Sequence, residues 1–567
     1  VLLAVIVVVV AYGAFSAYRL VHATRQLQAG VATVGRVRGE LSTANIETTA
    51  AGPDLQLAAT QFGEAHRAIH SSLLDPLRIL PYVGRQLRSV DALSGAATAI
   101  TGDGHRSLTQ VQGLFAAPHH TPGQRAVLVR RLATVVSTLN QEVDRVDLGP
   151  SDALIPTLAR KRNIFVADLD QLHTGLVKGT AAVSAVADLL GSHHTYLLLT
   201  ANNAEMRDGS GTFLQVGTLT TDGGRISLGG FRATQPLATA TPQVEVTGDL
   251  EARWGSAVPG GDYRALGLSP QFELNAPVAA ALWKHQTGQG VDGVLTIDDI
   301  ALKDLLAVTG PVSAGGTTIT AGNLEQTLFV TQYRGVTGTA SNEARREQLG
   351  ALGSAVFTAL QKPGLSLAEA ANALDSAVNG RHIMVWSGNP ASERDWQQAG
   401  ASGQLGPGDL LLGVSNEGGS KLDPYQDLSA HLTVVPHGRD TLVTVTGKLT
   451  NNSPTGAGLP PYVIGESAGT PPYEYIGIMS LDIPKYAGSF DVTGGTGLLA
   501  SGSDGPSTVK AVQIKVLAGT SASVSWTFLL LGHHGTLRVD PSAHVPPVSW
   551  STPGRAFTDT TAHTIRW

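Results

Sequence analysis

The hydrophobic periodicity of the chain changes twice, and the changes divide it before any motif is considered. From about Leu20 to Leu190 apolar residues recur near every 3.6 positions, as in Leu73, Leu77 and Leu80, or Val127, Leu132, Val135 and Leu139. That spacing places one apolar stripe on each helix. Breakers at Gly52-Pro53, Pro81, Pro118 to Pro122 and Gly149-Pro150 cut the stretch into several antiparallel helices. From Thr195 the pattern alternates between strand and helix: strands are predicted over 196–200, 212–220, 225–228 and 293–297, and helices over 275–287 and 299–309. Alternation of this kind predicts an α/β layered domain. A helix over 366–378 and a strand over 383–387 follow. Beyond Asp409 short alternating strands separated by Gly, Pro and Asn turns take over, clearest at 431–435, 441–449, 509–516 and 521–530. This predicts a β-sandwich.

At 567 residues the chain is too long for a single core. The expected organisation is a transmembrane anchor at 1–18, a helical membrane-proximal region at 19–192, an α/β domain at 193–408 and a β-sandwich at 409–567. The anchor rests on an uncharged run from Val1 to Tyr18, closed by Arg19. Eighteen helical residues span roughly 27 Å, close to the hydrocarbon thickness of a bilayer. The run begins on Val1 rather than Met, so a preceding cytoplasmic segment is part of this reading. No small-residue cleavage site marks it as a removed signal peptide. No second run of this length occurs, which predicts a single-pass cell-membrane protein with the bulk of the chain extracytoplasmic.

Composition excludes several classes. The formal net charge is −6 and no basic stripe stands out, so the phosphate-neutralising footprint of a nucleic-acid binder is missing. The chain has no cysteine, which rules out disulfides, thiolate metal sites and a Cys nucleophile, and suits an exported protein. Gly465-Glu-Ser467-Ala-Gly469 fits the nucleophile-elbow pattern of esterases, but Pro471-Pro472 follows where a helix should begin, so a surface loop is expected. The pairs His119-His120, His193-His194 and His533-His534 lack metal-ligand spacing, because adjacent side chains diverge.

The region from Asn202 to Gln348 carries the chemistry. Asn202-Asn-Ala-Glu205-Met-Arg207-Asp208-Gly-Ser-Gly211 joins the first two predicted strands with amides, charges and glycines. Arg232 follows the third strand, Arg334 sits in Gln332-Tyr-Arg, and Arg345, Arg346 and Gln348 open a helical run. Guanidinium groups recognise phosphate bidentately, so five arginines near element ends are candidates for a pyrophosphate site. The plainer reading is that they are surface ion-pair formers.

The runs from Tyr196 to Arg207, from Val291 to Asp298 and on to Thr309-Gly-Pro-Val312, together with 319–326, 345–350, Leu80-Pro-Tyr-Val-Gly84 and 416–425, resemble a bacterial family of unknown function (domain of unknown function 4012). The middle domain is similar, more distantly, to the LytR–CpsA–Psr family, which moves glycopolymers from a polyprenyl pyrophosphate carrier onto the cell wall, usually with Mg²⁺. The resemblance implies that Arg207, Arg232, Arg334, Arg345, Arg346 and Gln348 bind pyrophosphate. It also implies that Asp208 holds Mg²⁺, and that Asp208 or Glu205 acts as the catalytic base. Asp208 directly follows Arg207, where that family spaces the acid two residues on, and Ala233 stands where it has an Asp. The expected function is therefore an extracytoplasmic cell-envelope protein that transfers or binds polyprenyl-pyrophosphate-linked glycopolymer. The alternative is a non-catalytic polysaccharide-binding or scaffold protein that docks other envelope proteins.

Overall fold

The computed structural model describes residues 2–40, 51–116, 121–333, 339–362, 365–456, 458–532 and 535–567; the side chains of 2–11, 13, 39–40 and 339–346 are not among those described. The chain forms two compact units, Val1–Ala187 and Asp188–Trp567.

The first unit is helical: α1 (Leu2–Glu40), α2 (Ala51–Ile69), α3 (Asp75–Arg78), α4 (Pro81–Ala116), α5 (Pro122–Asp144) and α6 (Pro156–Gly191), the last running into the second unit. Small residues let the helices approach closely. Ala23 of α1 is buried with Ala65, Ala68 and Ile69 of α2, and Ala58 and Phe62 of α2 with Ala97 of α4. A Cβ at Gly30 would lie 2.6 Å from the Phe62 ring, so glycine is what lets α1 sit against α2 there. At the start of α5 the Thr121 hydroxyl accepts from Gln124 N while the Gln124 side chain accepts from Thr121 N. This reciprocal cap, with Pro122 at the first helical position, sets where the helix begins.

The N-terminus corrects the expected fold class. Among the described residues no helix is long and apolar enough to cross a membrane. The uncharged run is not a separate transmembrane helix: residues 2–18 of it are the start of the 39-residue α1, whose later turns carry Arg19, Arg25, Arg36 and Arg38. From Tyr12 onward α1 behaves as a bundle helix: the Tyr12 hydroxyl donates to the Leu73 carbonyl at 2.8 Å, and Ser16, Ala23 and Val37 are buried against protein. Counting uncharged residues alone could not separate these outcomes, because an apolar helix can bury its surface in protein as well as in lipid.

The second unit starts with a mixed sheet built from β1 (His194–Arg207), β2 (Ser210–Asp222), β3 (Arg225–Leu228), β4 (Arg232–Ala233), β5 (Gly293–Ile297) and β8 (Ile383–Ser387), in the order β3-β2-β1-β5-β8 with β4 beside β2. The small hairpin of β6 (Val312–Ala314) and β7 (Thr317–Ile319) lies apart from it. β1 and β5 are parallel; the other pairs are antiparallel. The helices are α7 (Gly248–Trp254), α8 (Phe272–Thr287), α9 (Asp299–Thr309), α10 (Thr339–Leu360), α11 (Leu367–Asn379) and α12 (Pro390–Ala399). Side chains alternate along a strand, so β1 has two working faces. Leu197 and Leu199 join Phe272, Ala276 and Leu282 of α8 in one core, while Leu198 and Thr200 face α9 and α10.

The sandwich packs two six-stranded sheets. One runs β13 (Ala487–Gly494), β16 (Ser521–Leu530), β11 (Asp440–Asn451), β10 (Gln426–His437), β18 (Ser549–Thr552), β19 (Arg555–Thr558); the other runs β14 (Gly497–Asp504), β15 (Ser507–Val516), β12 (Tyr475–Pro484), β9 (Asp409–Asn416), β17 (Thr536–Val539), β20 (His563–Arg566). Leu412, Val414, Met479, Val443, Val445, Trp526 and Phe528 fill the space between them. The esterase-like motif forms a single 3₁₀ turn, Glu466–Ala468, between β11 and β12, and among the described residues no helix follows it.

Candidate functional site

The sequence places residues 202–211 in a loop, but they extend the β1–β2 hairpin. Register shifts at Thr200/Ala201 and between Asn202 and Met206 let the strands continue to the pair Arg207↔Ser210. A strand this polar survives because the sandwich supplies partners for it. Asp208 accepts from Ser415 Oγ of β9 at 2.8 Å and from Ser480 Oγ of β12, and its own N–H donates to Ser415 Oγ at 3.1 Å. Glu205 forms a buried ion pair with Lys421, whose ammonium lies 5.4 Å from the Tyr462 ring centroid. Arg207 donates to the carbonyls of Met206 (3.0 Å), Arg264 (3.2 Å) and Asn416.

The candidate residues are thereby distributed. Arg232 pairs with Val216 in register, and Val216 with Leu199; Arg207 lies eight residues further along β1. At the strand rise this separates the two arginines by roughly 25 Å, too far to share one pyrophosphate. Arg232 instead lies over the Trp283 ring, 5.5 Å from its centroid. Gln348, on α10, sits against the β6–β7 turn, where a Cβ at Gly315 would come within 3.2 Å of its side chain. Arg334 and the side chains of Arg345 and Arg346 lie outside the described residues, as do the pairs His119-His120 and His533-His534.

The carboxylates have distinct electrostatic settings. Burial pushes Asp208 up to about 7, against the opposing hydrogen bonds from Ser480 and Ser415. Burial also raises Glu205, but Lys421 and Arg207 outweigh it and hold that carboxyl below its ordinary value. The single group of three or more potential metal-ligating side chains among the described residues does not include Asp208.

A site that sequence reasoning missed lies on the Leu198/Thr200 face of the sheet. A cavity of about 70 Å³ is walled by Leu198, Leu214, Phe231, Ile297, Leu302, Leu328, Leu349, Leu352 and Phe357 and is polar at Asn202, Gln215, Asp298, Asp299 and Gln332. Asp298 organises the polar part. Its Oδ1 caps α9 by accepting from Ile300 N and Ala301 N, both at 3.0 Å. Its Oδ2 accepts from Asn203 Nδ2 at 3.0 Å and Ser210 Oγ at 3.4 Å and lies 2.7 Å from His382 Nδ1. Asn203 completes the arrangement with Asp299: Asn203 N donates to Asp299 Oδ2 and Asp299 N to Asn203 Oδ1, each at 3.1 Å. Burial lowers the His382 imidazole, but the adjacent Asp298 carboxylate and its hydrogen bond prevail, so the ring titrates above its ordinary range. Ser210 bonds to Asp298 and not to His382, so these three do not form a nucleophilic relay. What they build is a rigid polar floor under an apolar cavity.

The signal for Asp298 is present in the sequence, as an acid directly before an apolar-periodic helix. Nothing local signals His382, which reaches Asp298 from 84 residues away. No curated protein and no solved structure matches the chain. Residues 192–333, from just before β1 to Tyr333, match the family model described as protein of unknown function (DUF4012), and this match supports the likeness of that part of the α/β domain to that family.

Proposed function

We propose that the α/β domain binds a polyprenyl-pyrophosphate-linked glycopolymer precursor at the cell envelope without transforming it. The observation that carries this reading is the cavity between β1, β2, β5, α9 and α10, whose apolar wall and polar end match an isoprenoid tail joined to a charged, sugar-bearing head. Its present volume of about 70 Å³ is room for roughly two water molecules, so a tail enters by displacing α10, which supplies Leu349, Leu352, Gly353 and Phe357 to the wall. Each buried methylene of such a tail contributes about 0.8 kcal/mol. Arg345 and Arg346 stand in the same helix one turn before Leu349, whereas Arg232 lies over Trp283 on the α8 side of the sheet and is not assigned to this cavity. Arg345 and Arg346 supply the guanidinium groups this reading assigns to the pyrophosphate.

Binding is favoured over transfer because the two sequence-derived catalytic carboxylates are already engaged: Asp208 by Ser415 and Ser480, and Glu205 by Lys421. In this reading Mg²⁺ acts as a counter-ion to the pyrophosphate. The envelope location rests on the more distant likeness to the LytR–CpsA–Psr enzymes and on the absence of cysteine.

Calorimetric titration of the full chain with a short polyprenyl pyrophosphate, with and without Mg²⁺, tests the proposal. Binding should be lost in Leu302→Trp, which fills the cavity, and weakened at least about tenfold in an Arg345→Ala, Arg346→Ala double variant. Inorganic pyrophosphate should bind far more weakly than the lipid. Release of lipid phosphate during the titration would instead establish a transferase, and equal binding by Leu302→Trp would remove the cavity from the argument.

A further inference from the structure

In the helical unit, well away in sequence from the α/β domain, two histidines and one carboxylate converge. His66 and His70 stand four residues apart at the C-terminal end of α2, the spacing that puts both rings on one helical face. Asp91 of α4 faces them: its Oδ1 lies 3.0 Å from His66 Nδ1 and its Oδ2 lies 3.0 Å from His70 Nδ1. The ring centroids are 5.5 Å apart. The Asp91 side chain is 13% exposed, His66 is half-buried and His70 exposed, and Asp91 Oδ1 is a buried oxygen with no well-directed hydrogen bond. Gly95, one turn after Asp91, makes room: a Cβ there would lie 3.3 Å from His66 Cε1. All three residues line a cavity of about 620 Å³, whose wall also includes Arg78, Arg88 and Arg145.

We propose that His66, His70 and Asp91 form a binding site for a first-row divalent cation, Zn²⁺ being the best fit. Metal–ligand bonds of about 2.0–2.1 Å in tetrahedral geometry place the ligand atoms roughly 3.3 Å apart. One ligand atom from each of the three residues already lies within 4.8 Å of the other two, and the two Nδ1–carboxylate contacts, to Oδ1 from His66 and to Oδ2 from His70, are each 3.0 Å, so small side-chain shifts bring one oxygen and both nitrogens to that edge. An imidazole pair with one carboxylate and no thiolate suits Zn²⁺ and its neighbours over Ca²⁺ or Mg²⁺, which take oxygen ligands. The cation would replace whatever proton each Nδ1 carries in its contact with Asp91, so binding requires both rings neutral at that atom. Three protein ligands leave at least one coordination position open. That position faces the cavity, where water or a small anion completes the shell beside the arginines.

Arg78 Nη2 also lies 3.0 Å from Asp91 Oδ2. If the cluster only ties α3 to α4 through ion pairs, Arg78 and the histidines satisfy Asp91 and no cation is needed. The two readings separate in a Zn²⁺ titration of the metal-stripped full chain, which has 17 histidines in all, against His70→Ala and Asp91→Asn. His70 is largely exposed, so its replacement spares the fold, as unchanged circular dichroism should confirm. The wild type should bind one more Zn²⁺ per chain than His70→Ala, with an affinity loss in both variants of at least the roughly 10–100-fold seen for lesser changes around metal sites. Co²⁺ in the same position should give the intense visible absorption of a four-coordinate ion, absent in His70→Ala. Equal stoichiometry and affinity in wild type and His70→Ala would overturn the site.

Discussion

His382 Nδ1 lies 2.7 Å from Asp298 Oδ2, so the residue just before β8 is tied to the N-cap of α9, two elements that the sequence holds far apart. Asp298→Ala removes a helix cap, worth about 1 kcal/mol, and leaves the His382 ring without its carboxylate partner, so the total cost should exceed that of the cap alone. Asp298→Asn keeps the cap and should cost less. Chemical denaturation of these variants with His382→Ala in a double-mutant cycle should show a coupling of more than about 1 kcal/mol. Additive effects would mean that the pair contributes nothing as a pair.

The second unit should be more stable at mildly acidic pH than at alkaline pH. Burial raises Asp208, Glu273 and Asp540 to about 7, and Asp423 and Asp504 to about 6. In Asp540 a hydrogen bond shared with Asp409 adds to the effect of burial. A carboxyl whose folded value is raised contributes stability that is full below its unfolded value near 4 and is lost as pH rises through the folded value. His382 acts in the same direction, because its raised imidazole loses its charge as pH rises. Glu205, held low by Lys421, acts oppositely, and only in acid. The unfolding midpoint should therefore decline steadily from about pH 5 to pH 8. A midpoint that rises over this interval would falsify the buried-carboxylate account.

Gly413 of β9 is where the sandwich meets Asp208. A Cβ there would lie 2.5 Å from Asp208 Cγ, so Gly413→Ala should destabilise by about 1–3 kcal/mol through overpacking. Asp208→Asn removes the charge that burial penalises. It should be neutral or stabilising at pH 8 relative to its effect at pH 5, since at the lower pH the wild-type group is already protonated. The difference between the two pH values is the quantity to measure, and its absence would show that Asp208 is not held in a desolvating site.

Glu205 and Lys421 show the cost of separating a buried pair. Lys421→Met leaves Glu205 without its cation, and Glu205→Gln leaves the ammonium facing a neutral amide; each should cost about 3–5 kcal/mol. Replacing both with apolar residues should recover much of that loss. Equal losses in the single and double variants, read by denaturant midpoint, would argue that packing and not charge holds this contact.

Much of the local structure was legible in the sequence because its causes are local. The strand Gly293–Ile297 and the helix Asp299–Thr309 have the bounds that apolar spacing predicts, since Asp298 caps one end of the helix and Gly310, at φ 77°, turns the chain at the other. The arginines near element ends were legible as residues but not as a group: strand register, decided by pairing across β1, β2 and β4, puts Arg207 and Arg232 at opposite ends of the sheet. The apolar run at the N-terminus was equally visible. Whether it faces lipid or protein depends on what packs against it, and α1 continues into turns that bury Ala23 and Val37 against α2 and its neighbours. By itself the sequence determined the periodicities, the caps and the match over 192–333 to a family of unknown function. Only the tertiary structure decided that Asp208 and Glu205 serve the contact with the sandwich, that Asp298 meets His382, and that His66 and His70 face Asp91. Those contacts join residues distant in the chain, and no short-range pattern encodes them.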